Sequence, residues 1–326
     1  MRLNSTLKNA AVAIALLALV VLSGCAGSAN KTDTKKVKLA FVTNTPADFW
    51  TMARKGTEAA DKELENVDVE FQIADGTAAD QRRIVDDLLT KGVTGIAISP
   101  VDPANQTQMI NDIAQKGVVI TQDSDAPDSN RMAYIGTDNI AAGKQAGELI
   151  REALPNGGKI MIFVGKIDAQ NAKERYEGIK QTIAGTKILI VDVKTDDADQ
   201  VRAKANAADT IVKHPDVAAL IGLWGYNGPA IVSALKEAKK LNQIKVVCFD
   251  DDPQTVAGIM DGSIYGTIVQ QPYEFGYQAI KLMNSILAGD RSGIPANKQR
   301  IIPTLAVTKA NVNDYSDRIN KLKGGS

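Results

Sequence analysis

Residues 92–123 read GVTGIAISPVDPANQTQMINDIAQKGVVITQD. The first run, Gly92 to Pro100, is apolar at successive positions rather than at alternate ones, the pattern of a strand covered on both faces. From Ala104 to Lys116 the apolar residues recur at helical spacing, and Gly117 to Asp123 returns to a strand. Strand, helix and strand within about thirty residues make a βαβ unit, whose two strands must run parallel because the helix returns the chain to its starting end.

The same alternation extends in both directions. Upstream lie the strand VKLAFVTN (37–44), a helix from Phe49 to Glu65, the strand VDVEFQIA (67–74) and a helix from Asp80 to Lys91. Downstream, after MAYIGTDN (132–139), the rhythm restarts with a helix from Asn139 to Ala153 and, beyond the break PNGG, the strand KIMIFVG. A helix from Asn171 to Ala184, the strand KILIVDVK, a helix from Asp199 to Lys213, the strand AALIGLW, a helix from Gly228 to Leu241 and the strand IKVVCFD follow. Two halves of about five strands each, in a chain of 326 residues, predict two doubly wound parallel-sheet α/β lobes, Rossmann-like in architecture, instead of one oversized sheet. No residue-level repeat accompanies this duplication.

Composition narrows the function. Lys plus Arg and Asp plus Glu each number 38, so the chain lacks the basic excess by which proteins hold nucleic acid. The N-terminus, MRLNSTLKNAAVAIALLALVVLSGC, places Arg2 and Lys8 before an apolar run from Ala10 to Leu22 and reads as an export signal. Its end, Leu22-Ser23-Gly24-Cys25, resembles a bacterial lipobox, which implies lipidation of Cys25, a signal peptide over 1–25 and a tether over 26–36. Cys248, flanked by apolar residues, reads as a core thiol.

In parallel sheets, ligands bind outside the carboxyl ends of the strands, near the switch in strand order. The residues there are Thr43, Asn44, Asp75, Ser99, Asp123, Ser124, Asp168 to Asn171, Asp196, Asp197, Tyr226, Asn227, Asp250 to Asp252, Gln270 and Gln271, with Phe49, Trp50 and Trp224 nearby. Hydroxyls, amides, carboxylates and flat rings suit a sugar, which offers adjacent hydroxyls and apolar C–H faces. No nucleophile paired with a base, no metal-ligand pattern and no phosphate loop stands among them. The only histidine, His214, precedes Pro215 as a turn residue. No catalytic residue, cofactor or metal is expected. The triplet Asp250-Asp251-Asp252 lacks the alternating ligands of a calcium loop; Asp251 and Asp252 suit capping or solvent.

DFWTMARKGTEAA (48–60), GVTGIAISPVDP (92–103), VVITQDSDAP (118–127), YIGTDNIAAGKQAGE (134–148), NAKERYEG (171–178), VCFDDDP (247–253) and GTIVQQPYEFGYQA (266–279) appear in order along the chain. Through them residues 37–307 resemble the type I periplasmic substrate-binding proteins of sugar ABC importers, in the ribose and galactose group. The resemblance implies that Phe49 and Trp50 sandwich a sugar, that Asp123, Arg175, Asn227 and Asp250 bind its hydroxyls, and that Gln270 lies at the hinge; Asn171, one helical turn before Arg175, joins the candidate set. It further implies a lobe of residues 37–137 plus 271–302, a second of 138–270 plus 303–320, and hinge connections near Thr137-Asp138, Gln270-Gln271 and Ile302-Pro303. Departures from the ribose pattern are Ser124 in place of an arginine, Ala47-Asp48 before the aromatic pair, and Ala198 in place of a second-lobe aromatic. The implied protein is a monomeric, extracytoplasmic, lipid-anchored receptor that delivers a monosaccharide or polyol to a membrane permease. Alternatives are a receptor feeding a chemoreceptor or sensor kinase and, more distantly, an exported carbohydrate-active enzyme using Asp123 and Asp250.

Overall fold

The computed structural model describes residues 36–323; the expected export signal, Cys25 and the expected tether up to residue 35 lie outside the described residues. In chain order the elements are β1 (Val37–Val42), α1 (Phe49–Glu63), β2 (Val67–Gln72), α2 (Ala78–Thr90), β3 (Gly95–Ile98), α3 (Pro103–Lys116), β4 (Val118–Gln122), β5 (Tyr134–Gly136), α4 (Asn139–Ala153) and β6 (Gly158–Val164). There follow α5 (Gln170–Ile183), β7 (Ile188–Thr195), α6 (Gln200–Lys213), β8 (Val217–Gly222), α7 (Asn227–Glu237), β9 (Lys245–Phe249), α8 (Pro253–Asp261), β10 (Gly266–Val269), α9 (Pro272–Leu287), β11 (Gln299–Ile301), β12 (Leu305–Thr308) and α10 (Val312–Lys323).

These elements build two sheets of six strands with matching order, β2-β1-β3-β4-β5-β11 and β7-β6-β8-β9-β10-β12. All pairs in the first are parallel, whereas in the second β12 runs antiparallel to β10. The sixth strand of each sheet, which the sequence reading did not contain, comes from the far end of the chain. Gln299–Ile301 and Leu305–Thr308 are too short, and too exposed at the sheet edges, to carry an alternation that periodicity can detect.

Each sheet is buried on both faces. Leu39 and Phe41 belong to one apolar cluster while Ala40 and Val42 belong to another, and Met161 and Phe163 are separated in the same way from Ile160, Ile162 and Val164. Alternate residues of one strand therefore feed opposite helix layers, which is why these strands read as continuous apolar runs. Caps fix where helices begin. Asp102 accepts from the Asn105 N–H ahead of α3, and Asp252 accepts from the Gln254 N–H at 2.8 Å ahead of α8, each followed by a proline at the first helical position.

The chain passes between the sheets three times: from β5 to α4 through residues 137–138, from β10 to α9 through 270–271, and from β11 to β12 through 302–304. These passages are cross-linked. The Thr137 hydroxyl donates to Gln270 Oε1 at 3.0 Å, and Gln271 Nε2 donates to the Pro303 carbonyl at 2.7 Å.

Candidate ligand site between the two lobes

Asp123 directly follows β4 and Asp250 directly follows β9, the fourth strands of their sheets, so the two occupy equivalent places. Their backbones match as well: φ is 58° at Asp123 and 64° at Asp250, in the left-handed region. Each N–H returns to the next strand, from Asp123 to the Ile135 carbonyl at 3.1 Å and from Asp250 to the Ile268 carbonyl at 2.8 Å. Each carbonyl accepts from a side chain of that strand, the Tyr134 hydroxyl at 3.0 Å and the Thr267 hydroxyl at 2.8 Å. A left-handed conformation costs an L-residue about 1–2 kcal/mol, least for Asp and Asn, so the turn selects these residue types and aims two carboxylates out of the strand ends.

In the first lobe the Asp123 carboxylate is anchored at the switch in strand order. Its Oδ2 accepts from Ser99 Oγ at 2.8 Å and from Asn44 Nδ2 at 3.2 Å, residues that follow β3 and β1. In the second lobe Asp250 Oδ1 accepts from Gln270 Nε2 at 3.0 Å, so one glutamine joins the cleft carboxylate to the crossing at Thr137.

Arg175, on α5, is 2% exposed. Its Nε donates to Asn139 Oδ1 at 3.0 Å, its Nη1 donates to the Leu223 carbonyl at 2.7 Å, and its guanidinium lies 4.5 Å from the centre of the Phe249 ring. Among the described residues it forms no ion pair. Burial lowers its pKa, against the opposing pull of the Asp250 and Asp123 carboxylates. Burial also pushes Asp123 up to about 6, against the pull of the Ser99 hydrogen bond and the Arg175 charge, and raises Asp250 against the pull of Arg175 and Gln270. Two carboxylates and one guanidinium thus lie near enough for their charges to act on one another yet form no ion pair among the described residues, a costly arrangement unless a ligand completes their hydrogen bonds.

The remaining candidates divide. Asn227 is 1% exposed; its Oδ1 accepts from the Trp224 N–H at 2.9 Å and its Nδ2 donates to Asp196 Oδ2 at 3.2 Å, which leaves one amide hydrogen outside these bonds. Asn171 is half-buried, and its Oδ1 accepts from the Trp224 indole N–H at 3.3 Å, so its carbonyl is engaged with protein. Gln270 is buried and bonded through both ends of its amide. The aromatic pair splits: Trp50 is 3% exposed and meets Phe41 edge-on in the first-lobe core, whereas Phe49 is half-buried against Trp50 and Phe275. Adjacent side chains on a helix point in different directions, and only Phe49 keeps a partly open ring.

Asp251 and Asp252 turn away from the site: Asp252 caps α8, and Asp251 accepts from the Tyr315 hydroxyl at 2.7 Å. Tyr134 and Asn139, which orient Asp123 and Arg175, were not singled out in the sequence; Asn44 and Ser99, which hold Asp123, and Asp196, fully buried, which accepts from Tyr226 and Asn227, stood among the strand-end residues but not among the candidate ligand contacts. Asn44, Ser99 and Asp196 follow strands, and that position was their signal.

Comparison with known proteins accords with this arrangement. The profile of the periplasmic binding protein domain matches residues 39–291. The ribose import binding protein RbsB of Salmonella typhimurium is 27% identical over 239 residues, 72% of this chain and 80% of that protein. A Burkholderia graminis ABC transporter solute-binding protein, solved with D-arabinose, superposes with a TM-score of 0.80 at 30% identity, covering 87% of this chain and 99% of its own. A chain of the XylFII–LytSN complex superposes with a TM-score of 0.76 at 29% identity, covering 84% of this chain and 98% of its own. With a family profile spanning most of the described residues and two matched sheets meeting at paired strand-end carboxylates, the chain belongs to the periplasmic binding protein domain family.

Proposed function

We propose that this protein is an extracytoplasmic receptor that captures a sugar between its lobes and delivers it to an ABC importer. The observation that carries this reading is the pair of left-handed aspartates, one from each lobe, with the buried, ion-pair-free Arg175 beside them. A sugar supplies adjacent hydroxyls that donate to both carboxylates and accept from the guanidinium. Hydrogen bonds to charged groups contribute roughly 1.5–3 kcal/mol each, so four or five of them total roughly 6–15 kcal/mol, a range that brackets the roughly 8 kcal/mol of micromolar affinity before ordering costs are subtracted. Asp123, Arg175, Asp250 and Asn227 are the polar contacts, and Phe49, backed by Trp50, forms an apolar wall. Gln270 and Asn171 orient their neighbours. The names of the ribose-binding relative and the arabinose-bound neighbour support a monosaccharide as ligand.

In this reading residues 37–137 plus 271–302 and residues 138–270 plus 303–320 move as lobes about the three crossings, and the ligand holds them closed. The protein is a monomer tethered to the membrane by a lipid on Cys25; intact mass after detergent extraction, with Cys25→Ser as control, tests the anchor. Thermal unfolding against pentoses, hexoses, polyols and amino acids tests the ligand class, because a ligand that binds only the folded state raises the midpoint. A shift with one or a few sugars, recovered chemically unchanged, is expected; a shift with amino acids alone, or product formation from the sugar, would overturn the reading. The XylFII–LytSN complex, in which a chain of this fold is partnered by a second protein, favours a second reading in which the loaded receptor is read by a sensor.

A further inference from the structure

The Asp123 carboxylate is held by two side chains, Ser99 after β3 and Asn44 after β1, and these strands are neighbours in the first sheet. The ladder between them closes with the Ser99 N–H donating to the Val42 carbonyl at 3.1 Å. Past that bond the chain leaves β1 for α1 and β3 for α3, helices that pack on opposite faces of the sheet. The two strand ends are nevertheless joined, by the side-chain amide of Gln81. This residue lies one turn into α2 and is 0% exposed. Its Nε2 donates to the Thr43 carbonyl at 2.8 Å and to the Ser99 carbonyl at 2.7 Å. Its Oε1 accepts from the Val101 N–H at 3.1 Å and from Gln106 Nε2 at 2.9 Å, and Gln106 Oε1 in turn accepts from the Asp102 N–H at 2.8 Å. A glutamine amide has two hydrogens to donate and two lone pairs to accept with, and in Gln81 all four are engaged with protein.

We infer that Gln81, supported by Gln106, is a positioning residue of the ligand site: it touches no ligand, and by joining the ends of β1 and β3 it sets the spacing at which Ser99 and Asn44 hold the Asp123 carboxylate. The inference rests on the sugar-binding reading and deepens it, because it names what prepares the first-lobe carboxylate for a ligand. Ser99 is itself a donor to Asp123 and Thr43 immediately precedes the other, so the amide grips the backbone at both points of attachment. The groups facing Asp123 are Ser99 and Asn44, Tyr134 on β5, and, from the second lobe, Arg175 on α5 and Asp250 after β9. Ser99, Arg175 and Asn44 favour the charged carboxylate, whereas burial and Asp250 disfavour it. Loosening the strand ends weakens the Ser99 and Asn44 bonds and leaves burial in place, so the carboxylate then ionises at higher pH.

The test is calorimetric titration with the best sugar of the thermal panel, from pH 4.5 to 8, of the wild type, Gln81→Met and Gln106→Leu. Gln81→Met keeps the side-chain length and loses every hydrogen bond. It is expected to weaken the sugar at least about tenfold at pH 7.5 and to move the rise of affinity with pH upward by at least about half a pH unit. Gln106→Leu removes one support of the amide and should move both readouts the same way by less; it carries the test if Gln81→Met does not fold. Ser99→Ala should largely abolish the effect of Gln81→Met on the pH profile, since the two act on one carboxylate. A folded Gln81→Met, or in its place a folded Gln106→Leu, that is less stable but keeps the wild-type affinity and pH profile overturns the inference and leaves the sugar site standing. Unfolding midpoints of the free proteins, each with and without Asp123→Asn, follow the same ionisation with no ligand present. They therefore decide on Gln81 even if the wild type binds no sugar of the panel, an outcome that overturns the sugar-binding reading alone.

Discussion

Replacing Asp250 by Asn separates charge from shape. Asparagine tolerates the left-handed backbone at this position, φ 64°, so the turn after β9 is kept, and its amide oxygen can still accept from Gln270 Nε2. What changes is the strength of the bonds offered to ligand. A charged acceptor contributes roughly 1.5–3 kcal/mol per hydrogen bond and a neutral one roughly 0.5–1.5, so two sugar hydroxyls lose about 2–3 kcal/mol in total. That corresponds to roughly 30–150-fold weaker binding. Stability should move the other way or not at all, because burial disfavours the charged form of Asp250 in the free protein and Asn removes that penalty. The assay is calorimetry at pH 7.5 with the best ligand, paired with the unfolding midpoint of the free protein. Affinity within about threefold of wild type, under roughly 0.7 kcal/mol, would refute the placement of Asp250 in the site.

Further expectations follow from neighbouring groups. Burial raises the folded-state pKa of Asp123 from the ordinary 3.8 to about 6; its stabilising contribution is therefore fully present below pH ~4 and lost as pH rises through about 6. The free wild type should accordingly lose stability relative to Asp123→Asn between pH 4.5 and 7, and parallel unfolding midpoints would contradict this; sugar affinity should rise over the same interval as the carboxylate forms. Arg175→Lys removes the two-pronged hold on Asn139 and the Leu223 carbonyl and the stacking on Phe249, so sugar affinity should fall at least tenfold, about 1.4 kcal/mol, by calorimetry. Thr137→Val breaks the hydrogen bond to Gln270 without touching ligand and should alter affinity less than tenfold while changing the rate of sugar release in stopped-flow fluorescence.

The doubly wound lobes were legible because runs such as GIAIS and VVCF are buried on both faces and need no alternation to be recognised. The helix expected from Asn139 to Ala153 has those bounds in the structure, where the Asp138 side chain accepts from the Ala141 N–H at its start. The edge strands β11 and β12 were not, since three or four half-exposed residues carry no period. At the site, Asp123 and Asp250 were singled out by strand-end position and resemblance and Arg175 by resemblance alone, whereas the burial of Trp50 was not foreseen, because an aromatic at a helix start reads alike whether it enters core or cleft. The partners of Asn171 and Asn227 were equally hidden: sequence names an amide but not the direction of its two ends. The matching turns at Asp123 and Asp250 went unseen as a repeat because only one residue and its backbone conformation are shared, while flanking TQ and CF differ.

The central claim is that a sugar is gripped by both lobes at once. Small-angle X-ray scattering of the purified protein, free and saturated with the best sugar from the thermal panel, tests it most directly. The radius of gyration should fall on saturation in the wild type and fail to fall when Asp123 and Asp250 are both replaced by Asn. A wild-type scattering curve unchanged by a sugar that calorimetry shows to be bound would contradict closure and place the ligand on one lobe alone.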